Sequence, residues 1–232
     1  MIRGNMSNIV YEDKNLVIIN KPVGVSSQPD NSGAKDAMAL IREELAEEKG
    51  TSELYVIHRL DLVVGGLLVY ARNKRTAAKL SELVANGSLG KEYLAAVEGE
   101  CTGGEMTDYL YKNSAIGKSS VVRRGTVGAK LARLEYERIE TVNTEKGLRS
   151  LVKIKLITGR FHQIRAQFSS RGMTLVGDGK YGSSDKAART PALFAHRIEI
   201  PTGDTSVFTV LPDTKTYPWS LFSQEAYKKC QK

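Results

Sequence analysis

Cysteine is nearly absent from this 232-residue chain: Cys101 and Cys230 lie far apart, and no CxxC occurs. A disulfide scaffold and a thiolate metal site are thereby excluded, and a reducing, cytoplasmic compartment is the simplest expectation. Histidine is almost as scarce. His58, His162 and His196 are isolated, with no HExxH or HxH spacing, so no dedicated metal site is expected. Long apolar runs are missing too. The longest, Leu62 to Ala71, is far too short to span a bilayer, and "MIRGNMSNIVYEDKN" has no apolar signal core, so neither a membrane anchor nor a secretory signal is expected. The sequon Asn86-Gly87-Ser88 then reads as a turn after a helix. No GxxxxGK[ST], strand-linked GxGxxG or GxSxG occurs, which removes the usual signals of nucleotide-cofactor and serine-hydrolase sites. Repeats, heptads and low-complexity linkers are also lacking.

What is present is basic charge, unevenly spread. The net charge is +8, with 41% apolar and 26% charged residues, an ordinary globular balance. Residues 36–54 carry six acids against Arg42 and Lys49. Residues 112–130 carry Lys112, Lys118, Arg123, Arg124 and Lys130 with no acid, and residues 151–200 carry nine bases against Asp178, Asp185 and Glu199. Such concentration suits a polyanionic partner, although a mildly basic enzyme would look much the same.

The patterning predicts one α+β domain over 1–232. "NIVYEDKNLVIINKP" reads as a hairpin turning at Glu12–Asn15. Helices are expected over Lys35–Lys49, stopped by Gly50, and over Lys74–Val84. Strands are expected at Gly66–Arg72, Lys91–Glu100, in "KLARLEYERIET", "RSLVKIKLIT", "ALFAHRIEIP" and "SVFTVLP". The Gly- and Ser-rich middle, Cys101 to Lys130, reads as a loop-bearing excursion. "GRFHQIRAQFSSRG" reads as a helix with Phe161, Ile164 and Phe168 on one face, and Tyr217–Cys230 as a terminal helix.

Within this frame, "VIHRLDLVVGGLLVYA" sets an ionised Asp61 at the lip of a buried run. An unpaired buried carboxylate costs several kcal/mol or more, so Asp61 must be paired, exposed or working. Two further segments place charge at the end of an apolar element: Gly90-Lys91-Glu92-Tyr93, and Thr158 to Arg165 ("TGRFHQIR") with "VGDGKYG" soon after. In a helix starting near Arg160, His162 and Arg165 would share a face.

Taken in order, "INKPVG", "HRLD…GGLLVYA", "ITGRFHQIR" and "VGDGKYG", with a looser "ALFAHRIEIP", resemble the catalytic domain of the RluA-type pseudouridine synthases from about Ile9 to Pro201. The resemblance implies a mixed, largely antiparallel sheet with flanking helices and a central basic cleft. It implies an enzyme that isomerises uridine to pseudouridine in RNA without cofactor or metal, on large-subunit ribosomal RNA first and transfer RNA second. Asp61 matches the catalytic aspartate, Tyr93 the tyrosine that contacts the target base, and Arg165 the basic residue that pairs with the aspartate. Arg59 matches the arginine that fills the space left by the flipped base. His58, Arg160, His162 and Gln163 join it as expected RNA contacts. Read without the resemblance, Asp61 is a surface ion pair, Tyr93 plain core, Arg165 a solvated helix residue, and Lys21-Pro22 a strand-end turn. One departure stands out: where the family commonly continues x-x-Thr-Ser-Gly after the aspartate, this chain has Leu62-Val63-Val64-Gly65-Gly66. A monomer is expected, with no S4-like domain ahead of Ile9, so that target choice rests on the catalytic domain and its insertions. The rivals are a catalytically silent RNA-binding protein on the same scaffold, and a nucleoside hydrolase that would release free uracil.

Overall fold

The computed structural model describes residues 8–31, 33–49, 53–202 and 204–231. Its frame is a sheet whose apolar positions alternate between two helical layers. Strand β1 (Ile9–Glu12) turns into β2 (Leu16–Lys21), and the Asp13 carboxylate accepts from the amides of Asn15 and Leu16 at 2.7 Å each to close that hairpin. Helix α1 (Ala37–Lys49) follows, capped by Asp36, which accepts from the Met38 and Ala39 amides. The expected stop, Gly50, lies outside the described residues. Strand β3 (Tyr55–Val56) precedes β4 (Gly65–Ala71), and α2 (Lys74–Ala85) starts from an Asn73 cap. Then come β5 (Gly90–Glu98), β6 (Gly104–Asn113), β7 (Lys118–Val122), β8 (Lys130–Thr144), β9 (Gly147–Leu156), α3 (Gln163–Ser169), β10 (Leu193–Thr202), β11 (Asp204–Thr209) and α4 (Gln224–Cys230).

The strand order is β1-β2-β4-β10-β5-β9-β8-β6-β7, with β11 on β10 and β3 on β4. All pairings are antiparallel except β4 with β10. Period-two alternation assigns the faces. Tyr93, Ala95 and Val97 of β5 and Leu68 and Tyr70 of β4 join Ile41 and Leu45 of α1 and Ile164 and Phe168 of α3. Leu67, Val69 and Ala71 turn the other way, onto Leu80 of α2. Leu94 and Ala96 turn onto Ala226, Tyr227 and Cys230 of α4. Helices cover both sides of β4, so every one of its residues is buried and its sequence shows no alternation.

The parallel joint positions the site. β10 meets β4 only at Phe194–Gly65 and Ala195–Gly66, whereas β3 takes the same edge at the far end, Tyr55 on Ala71 and Val56 on Tyr70. The segment from Ile57 to Val64, which carries Asp61, runs between them at the centre of the sheet. Gly66 makes the joint possible. Its φ is +111°, and a Cβ there would lie 2.2 Å from the Ala195 carbonyl oxygen. Left-handed strain and overpacking against backbone together cost about 2–6 kcal/mol. Gly66→Ala is therefore expected to lower the urea midpoint steeply; an unchanged midpoint would refute this account of the joint.

Three expectations are corrected. Half of the Cys101–Lys130 excursion is not loop but strand, β6 and β7. Gly117, Gly125 and Gly128 sit at turns with positive φ, while Met106, Leu110 and Ser119 supply the buried positions of the two strands. The third helix starts at Gln163, because His162 adopts a left-handed conformation (φ 52°) that no α-helix continues through. Phe161 consequently falls outside it, 36% exposed and stacked on His162, while Ile164 and Phe168 enter the core. The terminal segment is a single 3-10 turn, Trp219–Leu221, then α4 from an Ser223 cap, not one helix from Tyr217. No helix among the described residues is long and apolar enough to cross a membrane.

Candidate active site

The Asp61 segment is held from below by the first motif. Lys21, wholly buried, donates from Nζ to the carbonyls of Pro22 (2.9 Å) and Val25 (2.7 Å), fixing the turn after β2. Ser27 Oγ lies 3.1 Å from both the amide and the carbonyl of Leu60, and Tyr70 donates to the Ser27 carbonyl. The Gly24 amide reaches the Leu62 carbonyl, and Val64 N–H closes a turn on the Asp61 carbonyl. "INKPVGVSS" is thus the seat of the Asp61 loop. Burial lowers the Lys21 pKa to about 8, against the attraction of Asp61.

Helix α3 and the turn after it complete the site. Arg165, 104 residues from Asp61 in sequence, donates from Nη1 to Asp61 Oδ2 at 3.3 Å. It is bound more closely to Asp178, with Nε to Oδ2 at 2.7 Å and Nη2 to Oδ1 at 2.8 Å. His162 Nε2 stands 3.5 Å from the same Asp61 Oδ2, and its Nδ1 is 3.1 Å from the Tyr181 hydroxyl. Burial, then the charges of Arg165 and Lys180, push the His162 pKa down to about 4, so its imidazole is neutral at pH 7. Arg165 thus bonds Oδ2, and the neutral His162 ring stands near the same oxygen. Among the described residues no hydrogen bond reaches Asp61 Oδ1.

The Asp61 side chain is 23% exposed. Burial raises its pKa above the ordinary value, Arg165 opposes that incompletely, and the Asp178 charge adds to the rise. The guanidinium therefore offsets less of the burial cost than a simple pair would, because Asp178 already claims most of it. Burial would lower the pKa of Arg165, but Asp178 and Asp61 outweigh it and hold the guanidinium charged. Tyr93 is buried on β5, and burial with the nearby Asp61 charge raises its phenol, which stays neutral.

The remaining expected contacts separate into two groups. Arg59 is exposed, and among the described residues no hydrogen bond or ion pair ties it. Arg160 is exposed with Nε on the Leu131 carbonyl (2.8 Å), its other guanidinium nitrogens uncommitted. His162 lines the cavity. Gln163, by contrast, is buried, and its amide is spent on Thr158, the Arg160 amide and the Arg133 carbonyl. It fixes the start of α3 and offers RNA nothing. His58 likewise turns inward: both ring nitrogens are buried without a hydrogen-bond partner, and burial beside Lys91 lowers its pKa to about 3. Both are corrections to the expected RNA-contact set, with the same cause: desolvated polar atoms cannot meet a phosphate.

Asp178, Lys21 and Tyr181 stand in motifs legible in the sequence, yet only the fold reveals what they touch. The missing hydroxyls after Asp61 also find a local reason. Val64 is packed in the core, and a Cβ on Gly65 would lie 3.2 Å from the Lys21 carbonyl oxygen and 3.3 Å from Val23. Beside Asp61 a cavity of about 620 Å³ opens, lined by Leu62, Val63, His162, Arg165, Asp178 and the loop from Gly179 to Pro191. That volume admits a nucleoside. Among the described residues no three His, Cys, Asp or Glu side chains gather as a metal-binding group.

Comparison with known proteins is consistent across sequence and structure. Residues 15–170 match the family model described as RNA pseudouridylate synthase. The chain is 32% identical over 196 residues to an uncharacterized RNA pseudouridine synthase, YhcT, of Bacillus subtilis, covering 83% of this chain and 63% of that protein. It is 30% identical over 184 residues to ribosomal large subunit pseudouridine synthase D of Zymomonas mobilis, covering 77% and 57%. The chain thus spans about three-fifths of the length of these curated relatives. Human RNA pseudouridylate synthase domain containing 1 superposes with a TM-score of 0.76 at 22% identity, over 99% of this chain and 96% of that one. Human RNA pseudouridylate synthase domain containing 4 gives 0.74 at 23%, over 97% and 93%. These two likenesses are of fold.

Proposed function

This chain belongs to the RNA pseudouridylate synthase family, and from that premise we propose that it isomerises specific uridines of structured RNA to pseudouridine, with Asp61 as the catalytic carboxylate. The observation that carries the reading is the one-sided engagement of Asp61: Oδ2 accepts from Arg165 with His162 Nε2 3.5 Å away, and among the described residues Oδ1 has no hydrogen bond beside a nucleoside-sized cavity. Large-subunit ribosomal RNA is the first substrate, a choice supported by the relative named for that subunit; transfer RNA is the second.

The reaction breaks the N1–C1′ bond, turns the uracil, forms C5–C1′, and moves the C5 proton off as N1 gains one. Substrate and product are isomers, so no redox partner enters. A carboxylate serves this by attacking C1′, by stabilising cationic character there, or by taking a proton from C2′, and each use requires the ionised form. Arg165 favours that form and holds Oδ2, which leaves Oδ1 as the reacting atom. Tyr93, on β5 close enough to feel the Asp61 charge and behind the lining of the cavity, is the neutral ring proposed to meet the uracil as it turns. A uridine inside folded RNA must be extruded to reach the cavity, and the uncommitted Arg59 fills the space it vacates.

The test is tritium release from RNA labelled at uridine C5. The expected result is release stoichiometric with pseudouridine in large-subunit ribosomal RNA. Tight RNA binding without release from any cellular RNA pool would replace the reading with that of a silent RNA-binding protein, and free uracil would make the chain a hydrolase.

A further inference from the structure

The loop from Gly182 to Pro191 forms one wall of the cavity, and nothing in the chemistry above uses it. Lys186 and Arg189 stand on that wall, both exposed. Neither has a hydrogen bond or ion pair among the described residues, which sets them apart from the cations around them. Arg165 is committed to Asp178 and Asp61. Lys180 donates to the Ile116 and Gly117 carbonyls. Lys146 and Arg149 are both drawn to Asp185.

The wall is also fixed from behind. Asp185 is buried, and its carboxylate accepts from Lys146 Nζ (3.0 Å), Arg149 Nη2 (3.4 Å), the Ala187 amide (3.0 Å) and the Tyr217 hydroxyl. Ser183 Oγ donates to Glu98 (2.6 Å) and accepts from the Gly177 amide (2.9 Å), tying the loop to β5 and to the turn that carries Asp178. The far end is seated on Gly177. Its φ is +79°, and a Cβ there would lie 2.5 Å from the Thr190 carbonyl oxygen and 2.6 Å from the Ala188 Cβ. A loop pinned at three places fixes the backbone that carries the two cations, so binding has only their side chains left to order.

Resting on the function proposed above, we infer that Lys186 and Arg189 form a phosphate-binding subsite that grips the RNA backbone next to the extruded uridine. Two free cations on the wall of a nucleoside-sized cavity match the two phosphodiesters that flank any nucleotide entering it from a continuous strand. Arg supplies a forked donor set and Lys a point charge, and both serve a phosphate. Contacts of this kind position the strand without reading its sequence. The subsite therefore belongs to binding and register, leaving choice of uridine to other surfaces.

The test is the salt dependence of RNA affinity for the parent and the Lys186→Gln/Arg189→Gln double variant, using a fluorescein-labelled transcript of a large-subunit ribosomal RNA domain. Both side chains are exposed, so the variant should fold. Two lost phosphate contacts should make the slope of log affinity against log salt shallower by about 1.4–1.8, and weaken binding about 10–30-fold at 0.15 M salt. The control is Lys228→Gln/Lys229→Gln, two exposed cations of α4 that are not on the lining of the cavity, which should leave the slope unchanged. An unchanged slope in the first variant overturns the subsite, and so does an equal loss in the control, which would reduce the effect to net charge. Should the parent bind RNA but release no tritium, the enzymatic reading fails while the slope comparison still decides whether these two cations hold phosphate.

Discussion

Asp61→Asn is expected to lower the isomerisation rate by about 10⁴-fold or more, the scale of loss when a nucleophile or acid–base group is removed, while making the folded protein more stable. The amide keeps the shape of the side chain and can still accept from Arg165, so the cavity is preserved. It lacks the negative charge that each of the three routes at C1′ or C2′ requires. The stability gain follows from the sign of the pKa shift. Asp61 is raised in the folded state, chiefly by burial, with Asp178 adding to the rise. A raised carboxylate contributes stability below its unfolded pKa, near 3.9, and loses that contribution as pH rises through the folded value. At pH 7 the parent bears the cost of ionisation, and the neutral amide does not. For a chain of this size each kcal/mol relieved raises Tm by about 2–4 °C. The Tm difference should shrink as pH falls below about 3.9, where both proteins carry a neutral side chain. Tritium release at the parent's rate would remove Asp61 from the mechanism. A Tm at pH 7 below the parent's would show that the carboxylate is not strained where it stands.

The same residues show what a sequence discloses and what it withholds. Strands β2, β4, β5, β8 and β9 were legible because alternation or an unbroken apolar run reports on which faces are covered. β6 and β7 were not, since only Met106, Leu110 and Ser119 along them are buried and their turns are rich in Gly. His162 hid the true start of α3, because a left-handed backbone at a non-glycine residue leaves no compositional mark. In the site, ordered motifs brought Asp61 and Arg165 together across 104 positions, which spacing alone could not have done. The motifs gave no partner to Asp178, and they placed Gln163 and His58 outward when the fold turns them in. A polar side chain's partners depend on tertiary position, whereas periodicity reports only on burial. The free cations Lys186 and Arg189 escaped for the same reason: their significance lies in the absence of partners, which only packed neighbours can establish.

Asp178→Asn tests whether the second carboxylate sets the first. Arg165 and Asp178 are both buried and joined by two short charge-assisted bonds, so breaking the pair should cost about 3–5 kcal/mol, read as a lower urea midpoint. Against a typical domain stability of about 5–15 kcal/mol the variant remains folded in the cold. The effect on the reaction runs in a direction that damage alone does not give. The acid limb of the pH–rate profile follows ionisation of Asp61, and in the parent it should lie above the ordinary carboxylate range, because burial, with Asp178 assisting, raises that pKa. Neutralising Asp178 removes a nearby negative charge and releases the guanidinium to bond Asp61 more fully. Both changes lower the Asp61 pKa, so the acid limb must move to lower pH even as the maximal rate falls through the loss of Arg165's anchor. A limb that stays in place would mean Asp178 merely braces the helix, and one that moves to higher pH would mean Arg165 leaves Asp61 when its anchor is gone. One guanidinium is thus divided between two carboxylates, with Asp178 taking the larger share and Asp61 left with a raised pKa.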